Sequence, residues 1–228
     1  MIGIILAIVL VTIAILLGTF FIVRTSKKTT QTKTKGKIFE DTIKEKLSLI
    51  AEQKKYKFLD GGLFKYAENN YFELDGILIT SKAVYIIEAK RYIGYLHGGF
   101  FDDYLLLRDD RKEIKVKNPF NQNYRHIRHF INMCKTNVPI FSLIIFPDSA
   151  TVDIDKQEPS TIIASMSNVD LLLEEVEMYM TNDPDLEPVK VNAVIEATAK
   201  NRAQSENDNF KFNQIIAQNN ENQYFDRA

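Results

Sequence analysis

Three residues whose types and spacing could do chemistry stand out: Asp75, Glu88 and Lys90, with twelve residues between the two acids. The flanking segments, residues 72–79 and 84–90, are mostly apolar and are joined by a short polar turn over residues 80–83. They predict two strands of a hairpin. Side chains alternate faces along a strand, so Glu88 and Lys90 point the same way. A four-residue turn pairs Ile79 with Val84, Ile77 with Ile86, and therefore Asp75 with Glu88. Two opposed carboxylates on an apolar sheet repel one another. A divalent cation is the natural offset, because hard cations take carboxylate oxygens, and Lys90 would sit beside it. The same register also has an ordinary reading: Glu73 faces Lys90 as a cross-strand ion pair, and Asp75 lies at a strand end in water.

The elements that must hold these residues follow from periodicity. Residues 37–53 carry a helical stripe of Phe39, Ile43, Leu47 and Ile50, with Glu40 at its edge. Residues 56–64 predict a first strand, interrupted by Gly61-Gly62. Both faces of the 72–79 strand are apolar, as expected of an interior strand. Residues 91–101 read as turns, and a second hairpin is expected over 103–117 around Asp109-Asp110. Asn118-Pro119 opens a helix, with an Asn cap and Pro at the first helical position. Its expected buried stripe is Phe120, Tyr124, Ile127, Ile131 and Cys134. The other face shows Gln122, Arg125, His126, Arg128 and His129, and Arg125, Arg128 and Lys135 are candidate phosphate contacts. A charged helical face is also, more simply, a wet one. His126 and His129 have i, i+3 spacing but no Cys/His partner cluster for zinc, and read as solvated or phosphate-facing. Further strands are expected at 140–146 and 161–164, and helices at 168–180 and 189–202. Residues 205–228 are Asn/Gln-rich with few apolar side chains, which predicts a polar, disordered tail.

Composition limits the classes. The chain has 228 residues, is 45% hydrophobic and has formal net charge −1, so no global basic field points to nucleic acid. Its single cysteine, Cys134, excludes an internal disulfide. Neither a nucleotide P-loop nor a Ser/His/Asp or Cys/His constellation is present. Residues 2–23 are uncharged and apolar, enough helix to cross about 30 Å of hydrocarbon. The basic residues that follow, Arg24, Lys27, Lys28, Lys33, Lys35 and Lys37, predict a main domain on the cytoplasmic side of the cell membrane. The expected organisation is an anchor over 1–24, a basic tether over 25–35, a globular domain over 36–182, and a C-terminal helix with polar tail over 183–228.

Four segments in order across residues 36–135 carry a resemblance: Gly36-Lys-Ile-Phe-Glu40, Glu73-Leu-Asp75-Gly-Ile-Leu-Ile79, Tyr85-Ile-Ile-Glu88-Ala-Lys90 with Gly94 and Gly98-Gly99 following, and Asn118-Pro119-Phe-Asn-Gln122. Together they resemble the PD-(D/E)xK nuclease superfamily and, more narrowly, the NERD (nuclease-related) domain. The resemblance implies an αβββαβ core like that of restriction endonucleases, within an α/β (α+β) fold built on a central mixed sheet flanked by helices. It implies Mg²⁺ or Mn²⁺ held by Asp75 and Glu88 with the Ala89 carbonyl, Lys90 orienting water or neutralising phosphate, Glu40 near the metal and Gln122 near the active site. Phe39 departs from the small residue that the family usually carries before its helix Glu.

The function expected on these grounds is a membrane-anchored, metal-dependent nuclease that hydrolyses phosphodiesters, with DNA ahead of RNA as partner. A catalytically weak, anchored nucleic-acid-binding or assembly module is the alternative, and a phosphohydrolase of small substrates a third.

Overall fold

The computed structural model describes residues 34–67 and 70–225. The anchor expected over 1–24 and nearly all of the tether lie outside the described residues. Among the described residues no helix is long and apolar enough to cross a membrane.

The fold is α+β, with two mixed sheets and flanking helices. Helix α1 (Lys35–Lys54) leads into β1 (Lys57–Ala67), β2 (Asn70–Ile79) and β3 (Val84–Ala89). There follow β4 (Gly94–Gly99), β5 (Tyr104–Arg108) and β6 (Glu113–Lys117), then α2 (Pro119–Cys134) and β7 (Ile140–Phe146). The chain closes with β8 (Ala150–Asp155), β9 (Thr161–Ser165), α3 (Val169–Tyr179), α4 (Pro188–Asn201) and α5 (Glu206–Phe225). The first sheet has the order β1-β2-β3-β7-β9 and the second β6-β5-β4-β8.

Strand β3 is central to the first sheet. It runs antiparallel to β2 and parallel to β7, and all six of its residues are buried. The expected register holds: Ile79 faces Val84 and Ile77 faces Ile86. The turn fixes it, because Thr80 N–H donates to the Ala83 carbonyl at 2.9 Å and Thr80 Oγ1 accepts the amides of Lys82 and Ala83, each at 3.2 Å. One face of this sheet packs on α1 and α3 through Ile43, Leu47, Leu78, Tyr85, Ile87 and Leu173. On the other face Ile77, Ile79, Val84 and Ile86 meet Phe130 and Met133 of α2 and Val194 of α4. A third cluster joins Ile144 and Phe146 of β7 to Leu96 and Leu105 of the second sheet and to Phe120.

Three local expectations need correction, and one strand had not been expected. Residues 94–99 form a strand rather than turns: Gly94 (φ 116°) and Gly98 (φ 141°) are the irregular points within it. Strand β8 pairs in parallel with β4; its alternation of Ala150, Val152 and Ile154 with Thr151, Asp153 and Asp155 is a period-two strand signal that no expectation above uses. The buried face of α2 is Phe120, Asn123, Phe130 and Met133, while Tyr124 and Ile131 are 41% and 44% exposed. The true face contains a polar residue, Asn123, whose Nδ2 donates to the Ile86 carbonyl at 2.9 Å and to Ser142 Oγ at 2.8 Å. A count of apolar residues therefore rotates the stripe away from it. The tail expected to be disordered is helical over Glu206–Phe225, and its first turn is tied down by Tyr71, whose hydroxyl donates to Asp208 Oδ1 at 2.7 Å.

Candidate active site

Glu88 is a fully buried acid in an otherwise apolar strand, 1% exposed. Two nitrogens reach its carboxylate. Lys90 Nζ lies 2.5 Å from Oε1, and His126 Nδ1 on α2 lies 3.3 Å from Oε2. These two contacts, one on each oxygen, hold the buried carboxylate. Burial pushes the Glu88 carboxyl up. His126 and Lys90 outweigh burial and hold it below the usual carboxylate range. For Lys90 burial acts against the charge, and Glu88, then Asp75, overcome it and raise the ammonium above the ordinary lysine range.

Asp75 reaches the same place by a different route. The β2–β3 ladder stops at Gly76 opposite Ile87, one pair short of Asp75 and Glu88. The Asp75 side chain replaces the missing ladder acceptor: Oδ2 accepts the Ala89 N–H at 2.8 Å. Side-chain alternation along β2 breaks at this point. Leu74 packs in the same cluster as Ile77 and Ile79, whereas Leu78 faces the other way. Burial, then the Glu88 charge, push the Asp75 carboxyl up to about 7, with Glu40 adding to the rise and the Ala89 N–H and Lys90 opposing it. Asp75, Glu88 and Lys90 thus converge, Asp75 through its bond to the Ala89 amide rather than through the ladder pair that the hairpin register predicts. The ordinary alternative is not what forms, since Lys90 pairs with Glu88 and Glu73 is exposed at the position facing Leu63.

Glu40 lies in the first turns of α1, close enough for its charge to act on Asp75, and is paired with Lys37 at 3.1 Å. Gln122 and Arg125 line a cleft of about 540 Å³ that His126 also borders. Arg125 pairs with Asp103 at 3.1 Å across the surface of this cleft. Arg128 is exposed on α2 outside the cleft lining. Lys135 is at the far end of that helix, where it adopts the left-handed cap conformation (φ 51°). The structure therefore gathers Asp75, Glu88 and Lys90 and brings the Glu40 charge to bear on Asp75, places Gln122 and Arg125 on a cleft whose lining includes none of those three, and leaves Arg128 and Lys135 apart.

His126 is the residue that the sequence reading misplaced. It faces the buried acid rather than solvent, its side chain only 13% exposed. His129, one turn on, stacks on Tyr66 with ring centroids 4.3 Å apart, and burial followed by the charges of His126, Arg128 and Arg125 lowers its pKa. The signal that could have found His126 is its position three residues after Asn123, on the helix face that meets β3.

Two side-chain carboxylates are a sparse metal site, and among the described residues no group of three or more His, Cys, Asp or Glu side chains is gathered for an ion. The donors present still suit a hard divalent cation. Mg²⁺ commonly uses one or two carboxylates and completes its shell with water and substrate phosphate. Asp75 is destabilised as an anion by burial and then by Glu88, so a cation between the two acids would relieve it.

Residues 35–147 match the family model described as the nuclease-related domain, NERD. An uncharacterised protein of Bacillus anthracis is 29% identical over 114 residues, which cover 50% of this chain and 53% of that protein. The chain thus spans about half the length of the curated relative it matches. No solved structure matches the chain.

Proposed function

Because the chain belongs, over residues 35–147, to the nuclease-related domain family, we propose that it is a metal-dependent nuclease that hydrolyses phosphodiester bonds, acting on DNA ahead of RNA. One observation supports this above the others: Glu88, buried in an interior strand, shares its surroundings with Asp75 and Lys90. The neighbouring cleft is lined by none of the three and reaches them only through His126, which contacts Glu88. A scaffold strand has no use for two acids in that position, because each costs desolvation and they repel. The core order α1-β1-β2-β3 followed by α2-β7 suits a restriction-endonuclease-like core.

Asp75 and Glu88 are the side chains that would hold Mg²⁺ or Mn²⁺. When bound, the ion supplies a Lewis acid for the phosphoryl oxygens and lowers the pKa of attacking water. The chain's own residues do the rest. Asp75, near 7, becomes an anion around neutral pH and so reaches its ligating form there. His126 fixes Glu88 through Oε2 and leaves Oε1 towards Lys90. Lys90 keeps its proton and offers positive charge where charge builds on phosphate. Gln122 and Arg125 on the cleft wall can hold the flanking backbone, and Arg125 can exchange Asp103 for a phosphate because that pair is exposed. Arg128, Lys135 and Glu40 are further contacts in this reading: the first two for phosphate, Glu40 for the metal or a water bound to it. The apolar run over 2–23 would tether the domain to the cytoplasmic face of the cell membrane.

An anchored binding or assembly module with weak cutting remains the second reading. It is favoured by the close Lys90–Glu88 pair, which neutralises a ligand, and by the formal net charge of −1. One experiment separates the two. The full chain in detergent micelles is incubated with linear and circular DNA and with RNA, in Mg²⁺, Mn²⁺ or EDTA, beside Glu88→Ala and Lys90→Ala. Metal-dependent cutting lost in both variants supports the nuclease. Binding without cutting in the wild type supports the module, and cutting that persists in both variants removes this site from the reaction.

A further inference from the structure

The Gly61-Gly62 pair interrupts β1 directly opposite Asp75. The ladder pairs Asp60 with Gly76 and Gly62 with Leu74, and skips the Gly61–Asp75 pair between them. A Cβ on Gly61 would stand 2.1 Å from the Leu74 carbonyl oxygen and 2.3 Å from the Asp75 carbonyl, so only glycine lets β1 press against the Asp75 backbone. Gly62 has φ +141°, and a Cβ there would lie 2.8 Å from Arg202 Nη1. Both glycines are thus accounted for by one arrangement. β1 is the edge strand of its sheet, and Arg202 takes two adjacent carbonyls there: Nη1 donates to the Gly61 carbonyl at 2.7 Å and Nη2 to the Asp60 carbonyl at 2.5 Å. The guanidinium also lies over the Phe64 ring, 4.8 Å from its centroid, and the Ala203 N–H donates to the Leu63 carbonyl at 2.9 Å.

We propose that Arg202, at the end of α4, is a positioning residue for Asp75. It acts through the Gly61-Gly62 break, so that a segment beyond the family-matched residues 35–147 completes the active site. A fork of donors is needed because two adjacent carbonyls must be held at once; lysine offers a point charge without that geometry. Holding them fixes β1 against β2 where β2 loses its alternation, and that fixes the direction in which the Asp75 carboxyl leaves the strand. The proposal rests on the nuclease reading only in counting Asp75 as part of the site.

The Ala89 amide is a direct reporter, because its acceptor is Asp75 Oδ2. Residue-level amide hydrogen exchange on the metal-free full chain in detergent micelles tests the idea with neither nucleic acid nor catalysis. Arg202→Ala should speed exchange at Ala89 by about tenfold, with the interior amides of Ile86 and Leu143 unchanged. If Arg202→Ala does not fold, Arg202→Lys decides: selective loss at Ala89 supports the proposal, and full protection there overturns it. An equal rise at all three amides means a general stabilising role and overturns it, as does no change at Ala89. Because cleavage is not read, the outcome stands apart from whether the protein cuts nucleic acid.

Discussion

His126 Nδ1 on α2 lies 3.3 Å from Glu88 Oε2 on β3, joining the helix that lines the cleft to the acid at the centre of the sheet. Together with Lys90 on the other oxygen, it gives Glu88 a cation or donor at each end of a carboxylate that water does not reach. The site is therefore a coupled set, and each member's loss should be felt through the others.

Removing the imbedded imidazole should show this first. His126→Ala leaves Glu88 Oε2 buried without its partner, which costs about 1–3 kcal/mol of stability. Cleavage, read on the same preparation, should fall by about tenfold as the carboxylate loses its fixed orientation. Urea denaturation and a plasmid-nicking assay check the two together. His126→Asn, which can place an amide near Oε2, should recover part of both.

Glu88→Gln should be worse than its similar size suggests. The substitution strips Lys90 of its buried counter-ion, and breaking a buried pair from one side costs about 3–5 kcal/mol. Melting of the variant in EDTA checks the direction, and a Glu88→Gln/Lys90→Met double variant should be more stable than Glu88→Gln alone.

Asp75 makes stability depend on pH in a defined direction. Its carboxyl is raised from 3.8 to about 7 in the folded protein, so folding favours the protonated form. The contribution is complete below about pH 4 and is lost as pH rises through about 7. The shift corresponds to about 4 kcal/mol at full burial, and partial exposure of Asp75 reduces this to about 2 kcal/mol. In EDTA, Asp75→Asn should therefore gain about 2 kcal/mol over wild type at pH 8.5 and nothing at pH 4, by denaturant titration. Equal gains at both pH values would mean that the carboxyl does not titrate in this window.

Metal binding should follow the same proton. Mn²⁺ affinity by calorimetry should rise between pH 6 and pH 8, because Asp75 must lose its proton to serve as a ligand. Asp75→Asn should weaken binding by at least about tenfold, which is about 1.4 kcal/mol. Saturating Mn²⁺ at a hundredfold over the dissociation constant should stabilise the wild type by about 2.7 kcal/mol, reversibly with EDTA.

Asn118 is a structural counterpart to these. Its Oδ1 accepts the Phe120 amide at 2.9 Å and the Asn121 amide at 3.3 Å, and its Nδ2 donates to the carbonyls of Gly99, Phe100 and Asp102. Asn118→Ala removes the α2 cap and leaves buried carbonyls unsatisfied, a loss of about 2–3 kcal/mol. Thermal melting checks it, with nuclease activity per folded molecule expected to change much less than for His126→Ala.

Much of the fold was legible because it rests on short-range pattern. The 72–90 hairpin showed its register in the length of its polar turn, and α1 showed its buried stripe at Ile43, Leu47 and Ile50. Asn118-Pro119 announced α2 in the same local way. The stripe of α2 itself was misread because Asn123 and His126 face inward, and polar residues on a buried face carry no hydropathy signal. The Gly94–Gly99 strand was hidden because its glycines read as turns and its partners in a second sheet make it a strand, whereas β8 carries an alternating pattern that was legible.

Sequence alone placed Glu88 and Lys90 on one face of β3 and set the turn register that brings Asp75 level with Glu88, since strand alternation and a four-residue turn leave little freedom there. Only the tertiary structure decided what surrounds them. His126 reaches Glu88 from a helix packed across the sheet, and Arg202 reaches the β1 break opposite Asp75 from the end of α4. Those contacts join residues far apart in the chain, and no local period encodes them. They exist because burying both faces of one sheet brings helices from the middle and the end of the chain against the same few strands.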